Sequence, residues 1–272
     1  MASFGMTALG IHGVDEPGFL ALLTGKWWGS SGVKLSVGFM ESTPADLRDR
    51  ILSHANAWGA YANVRFEWTE QAQDADLRLT RAQQGYWSYL GTDNRQIPRG
   101  QATMCLQNFT MATSEAEYRR VVRHEFGHAI GCPHEHMRAE IIARLDPAKV
   151  IAWGRTQLGW DERMVRAQIL TPLSEASIRS TPHADQDSIM CYDLPASVTK
   201  DGQSVRGGKD IDALDAEFIA KMYPGVVAPP PPPPGEGKTI TFAVAGGKPI
   251  TIKVPGDVTS MACDGWSCTR VG

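Results

Sequence analysis

The chain has 272 residues, 42% hydrophobic and 21% charged, which suits one large domain or a domain of about 200 residues with appendages. Its 27 Lys and Arg against 30 Asp and Glu leave a formal charge of -3, so there is no electrostatic case for nucleic acid or an anionic membrane as the main partner. No uninterrupted apolar stretch approaches the roughly 20 residues that span a bilayer, and five scattered cysteines are too few for a disulfide scaffold.

The N-terminus, MASFGMTALGIHGVDEPG, has neither a basic n-region nor a continuous apolar h-region. It does not read as a secretory signal, so export by a route without one is expected, with the cytoplasm as the alternative. From residue 33, VKLSVGF alternates apolar and polar residues as a half-buried strand does. Thr43 and Pro44 then read as cap and first helical residue, and Leu47, Ile51, Ala55 and Trp58 mark one helical face. VRFEW (64–68) and ADLRL (75–79) are further strands, and WSYLG and QATMCL add two more. Strand, helix, strand, strand is the order of a mixed α/β lobe.

A helix follows. Ser114 and Glu117 form an S-x-x-E capping box, and Tyr118, Val121, Val122 and Phe126 supply its apolar positions. It carries HEFGHAIGCPHEH, residues 124–136, which holds four of the chain's seven histidines. His124 and His128 are four apart, so on a helix their Cβ atoms lie about 5 to 6 Å from each other on one face, where two imidazoles can share an ion. Glu125 sits beside the pair, placed to reach a metal-bound water without ligating the metal. Gly131 is the residue best able to take the left-handed conformation that ends a helix and turns the chain, and the turn can bring His134 to the same ion. Three imidazoles with one open position make a catalytic zinc arrangement, whereas structural zinc sites close with four ligands and are rich in cysteine. The bland reading is that these histidines are core or surface residues with no metal.

Beyond His134 regular alternation fades through 137–209, apart from a helix starting at Asp146 and Pro147. SIMCYD (188–193) offers Met190, which in a tight turn can floor a zinc site, and Tyr192, whose phenol can face the metal or developing charge. Read alone, both are ordinary core residues. Ile211, Leu214, Phe218 and Met222 share the face of a last helix that Pro224 stops. Six prolines in APPPPPPGEG favour an extended spacer of roughly 20 Å. TITFAV and ITIKV then alternate around a GGKP turn, as a hairpin does.

The H-E-x-x-H-x-x-G-x-x-H run and the S-x-M-x-Y pattern of Ser188, Met190 and Tyr192 together resemble the metzincin clan of zinc endopeptidases, and within it the astacin family. Glu135 directly after His134, and Arg138 three residues further, match that family's H-E-x-x-R. Cys191 stands where astacins usually carry histidine, and AEIIARLD after Arg138 departs from their R-P-D-R-D. The likeness covers roughly 27–224. It implies an α+β, metzincin-like two-lobed protease domain: a twisted mixed sheet plus helices above the cleft, an irregular C-terminal lobe below. The expected division is an N-terminal extension (1–26), the catalytic domain (27–224), a Pro-rich linker (225–237) and a small β-rich tail (238–272).

The resemblance further implies one catalytic Zn2+ on His124, His128 and His134, Glu125 as general base, Tyr192 as an oxyanion stabiliser, and Met190 as the structural Met-turn residue. Trp87 and Tyr89 fall in the edge-strand region, where an extended substrate can add as another strand; sheet packing is their other reading. Protein or peptide substrates are the expected partners of a monomer. His183 and Arg179 lie in the poorly patterned stretch that would line the S1′ pocket, or they are solvated loop positions. Cys132 and Cys191 flank the site in two segments expected to meet around the zinc; they bridge, remain free in the core, or ligate the metal. The alternative to an enzyme is a catalytically silent zinc-bound module that holds peptides uncut, but binding alone needs no general base.

Overall fold

The structure, a computed structural model, describes residues 26–173 and 183–225, together with the backbone of four short strands between 238 and 270. Arg179 and the six-proline run lie outside the described residues. The chain divides into two compact units, 1–228 and 229–272.

In the larger unit β1 (Val33–Phe39) is central: its alternation buries Leu35, Val37 and Phe39. It pairs in parallel with β2 (Val64–Trp68) on one side and β3 (Leu77–Thr80) on the other. Next to β3 lies β5 (Met104–Leu106), also parallel, and β4 (Tyr86–Ser88) closes the five-stranded order β2-β1-β3-β5-β4 as an antiparallel edge. The helix α1 (Ala45–Ala55) runs into a 3-10 turn, Asn56–Ala60, and its expected face of Leu47, Ile51, Ala55 and Trp58 is buried against the sheet. The start is one residue later than Thr43 and Pro44 suggest. Pro44 is extended (ψ 148°) and its carbonyl is the first helical acceptor, while the Thr43 hydroxyl turns back to donate to Glu41 O.

The helix bearing the histidines comes in three pieces: one turn, Glu115–Glu117; five π-helical residues, Tyr118–Val122; and α2 (Arg123–Ala129). Half of the capping box forms. Ser114 accepts from Glu117 N at 3.2 Å, but the Glu117 carboxylate takes Arg120 at 2.9 Å instead of returning to the cap. Tyr118, Val121, Val122 and Phe126 are buried as their spacing requires, in one core with the sheet.

Residues 137–209 are more helical than their pattern promises. They hold α3 (Ala139–Arg144), α4 (Pro147–Trp153), capped by Asp146 as expected, and α5 (Glu162–Val165), with π-helical turns at Gly154–Leu158 and Arg166–Leu170. These pieces enclose a second core of Ile141, Leu145, Val150, Val165 and Ile169, joined by Leu194, Val198 and Val205. The last helix, α6 (Ala213–Met222), opens on a capping box of Asp212 and Asp215. Because it begins at Ala213, Ile211 precedes it and the buried face turns to Ile219 and Met222, leaving Leu214 42% exposed and not in the core.

In the smaller unit β6 (Lys238–Phe242) and β7 (Ile250–Val254) form the expected antiparallel hairpin. A second pair, β8 (Met261–Cys263) and β9 (Cys268–Arg270), has no counterpart in the sequence reading.

Candidate active site

Segments distant in sequence meet at the histidines, and backbone carbonyls set two of the three rings. His124 Nδ1–H donates to Ile189 O at 2.7 Å, and His128 Nδ1–H donates to Cys132 O at 2.7 Å. With Nδ1 protonated in both, the Nε2 lone pairs point away from these carbonyls and toward one another. His134 arrives through the turn at Gly131 (φ 100°), where Gly131 N donates to His128 O and Cys132 N to Gly127 O. His128 Nε2 and His134 Nε2 lie 3.0 Å apart, and one nitrogen from each of the three histidines falls within 4.8 Å of the others.

The donors fit a zinc ion. His124 Nε2, Glu125 Oε2 and Tyr192 Oη are buried polar atoms with no hydrogen-bond partner, as expected where a cation and its water belong. Burial also keeps the imidazoles neutral, the form that binds metal. His128 is driven down to about 4 and His124 and His134 well below the ordinary histidine range, first by desolvation and then, for these two, by neighbouring rings.

Glu125 is 2% exposed. Desolvation pushes its carboxyl up to about 8, opposed by the Arg120 cation one turn earlier. Tyr192 is buried too, and its phenol is held well above the ordinary range by desolvation and then by Glu125. Its ring lies 4.4 Å from that of His134 and 6.1 Å from that of His124, centre to centre.

The Met190 turn is fastened from both sides. Glu135 N donates to Met190 O at 3.0 Å, joining the turn to the third histidine's loop. Asp215, in the first turn of α6, accepts from Ser188 Oγ at 2.6 Å and Ile189 N at 2.9 Å, so the last helix holds the same residue whose carbonyl orients His124. The Met190 thioether packs beneath α2 against Gly127, where a Cβ would meet Sδ at 2.6 Å. Sequence reasoning missed both Asp215 and Gly127. A glycine inside a helical pattern was a usable signal for a close approach, whereas Asp215 shows in sequence only as part of a cap.

Three aromatic donors complete α2. Trp58 Nε1 reaches Arg123 O, Trp28 Nε1 reaches Ala129 O, and the Tyr223 hydroxyl reaches Ile130 O at 2.7 Å, the last two satisfying carbonyls that a helix end leaves open. Glu135 faces Arg138 at 3.1 Å and the Asp185 amide at 3.1 Å, and burial raises its carboxyl to about 7. Trp87 lies in β4 and Tyr89 just beyond it, their rings in edge contact at 6.0 Å. His183 is an exposed loop residue whose Nδ1 meets Glu140 at 3.0 Å.

Cys132 and Cys191 are not bridged; both are buried free thiols. Their segments do meet, but Cys132 packs into the sheet core with Met190, whereas Cys191 faces the second core with Tyr192. Neither thiol falls in the histidine cluster.

Residues 23–204 match the family model of Astacin, a peptidase family. Two structures of myroilysin are similar to this chain. One is 30% identical with a TM-score of 0.69, covering 76% of this chain and 99% of that one. The other is 32% identical with a TM-score of 0.55, over 74% and 86%. High choriolytic enzyme 1, a hatching enzyme zinc-protease from the medaka fish Oryzias latipes, shares the fold at 16% identity and a TM-score of 0.50, covering 74% of this chain and 95% of that one. A search of curated proteins found no match.

Proposed function

Because this chain belongs to the astacin family and is a zinc-dependent metalloendopeptidase, we propose that His124, His128 and His134 hold its one catalytic Zn2+, with Glu125 as general base and Tyr192 as oxyanion donor. The observation that carries this reading is the gathering of one nitrogen from each of the three histidines within 4.8 Å, together with the buried, unpartnered Oε2 of Glu125 and Oη of Tyr192. Zinc, when bound, supplies the Lewis acidity that brings a water's pKa to about 7 and polarises the scissile carbonyl. Glu125 takes the proton of the attacking water at Oε2 and gives it to the departing amine nitrogen, the acid–base task of a carboxylate held off the ligand set. Tyr192, kept protonated by burial, donates its hydroxyl hydrogen bond to the oxyanion as the carbonyl carbon becomes tetrahedral.

Protein and peptide substrates follow from the family. The substrate strand adds along β4 beside Trp87 and Tyr89, since β4 is the sheet's edge and pairs only with β5 among the described residues. Met190 floors the site through its contact with Gly127. The catalytic domain comprises 27–224, with 1–26 an extension, 225–237 a spacer and 238–272 a small β tail. No helix among the described residues is long and apolar enough to cross a membrane. We take the working enzyme to be a monomer that is exported, as members of its family typically are.

A silent peptide-holding module has no use for an unpartnered carboxylate oxygen buried beside the ligands. The zinc-loaded protein should therefore cut unfolded casein. Stoichiometric zinc with intact casein would support the silent module instead.

A further inference from the structure

His136 has no part in the chemistry above, yet it is fully buried, at 0% exposure, two residues past a zinc ligand. Its Nε2 lies 2.9 Å from Gln168 O, and its Nδ1 lies 3.3 Å from the backbone nitrogen of Tyr192. A carbonyl can only accept and an amide N–H can only donate. The ring is therefore the neutral tautomer, with the proton on Nε2 and the Nδ1 lone pair receiving Tyr192 N–H. The same ring stacks on the Tyr192 phenol, with centroids 4.2 Å apart and planes 20° from parallel. The phenol thus packs in one cluster with His136 and the ligand ring of His134, which are themselves 4.9 Å apart, with His124 further off at 6.1 Å. Its hydroxyl has no hydrogen bond to fix its direction, so the aim of the oxygen rests on this packing and on the backbone that His136 grips.

We propose that His136 is the positioning residue for Tyr192: it ties the Tyr192 amide and ring plane to the Gln168 carbonyl of the second lobe, and so sets where the phenol hydroxyl points. The proposal rests on Tyr192 acting as the oxyanion donor. Its geometry has a directional consequence. A partner that merely filled space would touch the ring, whereas His136 holds ring and backbone of the same residue, with a tautomer that its own second bond imposes.

The test is a cycle of wild type, His136→Phe, Tyr192→Phe and the double variant, each zinc-loaded. His136→Phe keeps an aromatic ring in place but removes the Nδ1 acceptor. It should lower kcat about 10-fold, the scale of one buried hydrogen bond, with KM and zinc content unchanged. In the Tyr192→Phe background the same change should alter kcat by less than about 2-fold, because the hydroxyl being aimed is gone. Amide exchange at Tyr192 in the zinc-free protein should rise in His136→Phe while exchange in β1 stays slow. His136→Gln, which keeps a donor for Gln168 O but loses the ring and the Nδ1 acceptor, goes through the same cycle and carries the comparison if the Phe variant does not fold. Equal losses in both backgrounds, or no loss in either, would overturn the proposal. Wild-type turnover by Tyr192→Phe alone would instead overturn the role of Tyr192 on which it rests.

Discussion

Glu125→Gln should bind zinc as the wild type does and lose about 10² to 10⁴-fold in kcat for peptide hydrolysis, the range for removing a positioned general base. The substitution is close to isosteric, so it keeps the packing of a residue that is 2% exposed. The proposed ligands are all imidazoles, and two of them are oriented by the carbonyls of Ile189 and Cys132, which the change does not touch. What disappears is the oxygen proposed to accept the proton. A pH profile adds a second reading of the same variant. Without the metal, burial puts the Glu125 carboxyl up at about 8; a nearby dication favours the carboxylate and lowers that value. The base is competent above its pKa, so wild-type kcat/KM should rise with pH along an acidic limb lying below pH 8, and that limb should vanish in Glu125→Gln. Turnover near the wild-type rate in a zinc-replete Gln variant would remove Glu125 from the mechanism.

Tyr192→Phe should lower kcat by about 10² to 10³ with little change in KM, because the hydrogen bond it deletes forms mainly in the transition state. The phenyl ring retains the stack on His136 and the contact with His134, so stability should hardly move. A packing role for Tyr192 predicts the reverse, lost stability with intact specific activity. Melting temperature and kcat measured on one preparation decide between them.

The site was legible in sequence wherever its geometry is local. His124 and His128 meet because they are four apart on α2, and His134 joins them because Gly131 turns the chain three residues earlier. The strands VKLSVGF and VRFEW were readable because apolar residues on one face are buried while Lys34, Ser36, Arg65 and Glu67 between them keep contact with solvent, so period 2 survives in the sequence. What stayed hidden depends on partners far along the chain. Asp215 clamps Ile189 across 26 residues, and His136 reaches Gln168 across 32 and Tyr192 across 56, with no spacing rule to announce either. The second lobe hid its helices for a different reason. α3 and α5 are six and four residues long, too short to show a helical period, and they adjoin 3-10 or π-helical turns. Cys132 and Cys191 misled because nearness of two backbone segments says nothing about which core each thiol enters.

Met190 and Tyr192 stand between these cases. Periodicity marks them only as core, and both are buried. Their proposed part in the site became readable through the S-x-M-x-Y likeness, and their placement is consistent with it: Met190 meets the bare Cα of Gly127, while the ring of Tyr192, two residues on, lies against His134 and His136.

Whether His124, His128 and His134 hold one zinc without help from the nearby thiols can be read from the zinc X-ray absorption spectrum of the loaded protein. One zinc per chain is predicted, with imidazole nitrogen at about 2.0 to 2.1 Å, light oxygen ligands and no sulfur. His134→Ala should lose that spectrum together with the metal. A sulfur scatterer at about 2.3 Å, the distance of a zinc–thiolate bond, or an unchanged spectrum in His134→Ala, would contradict that assignment.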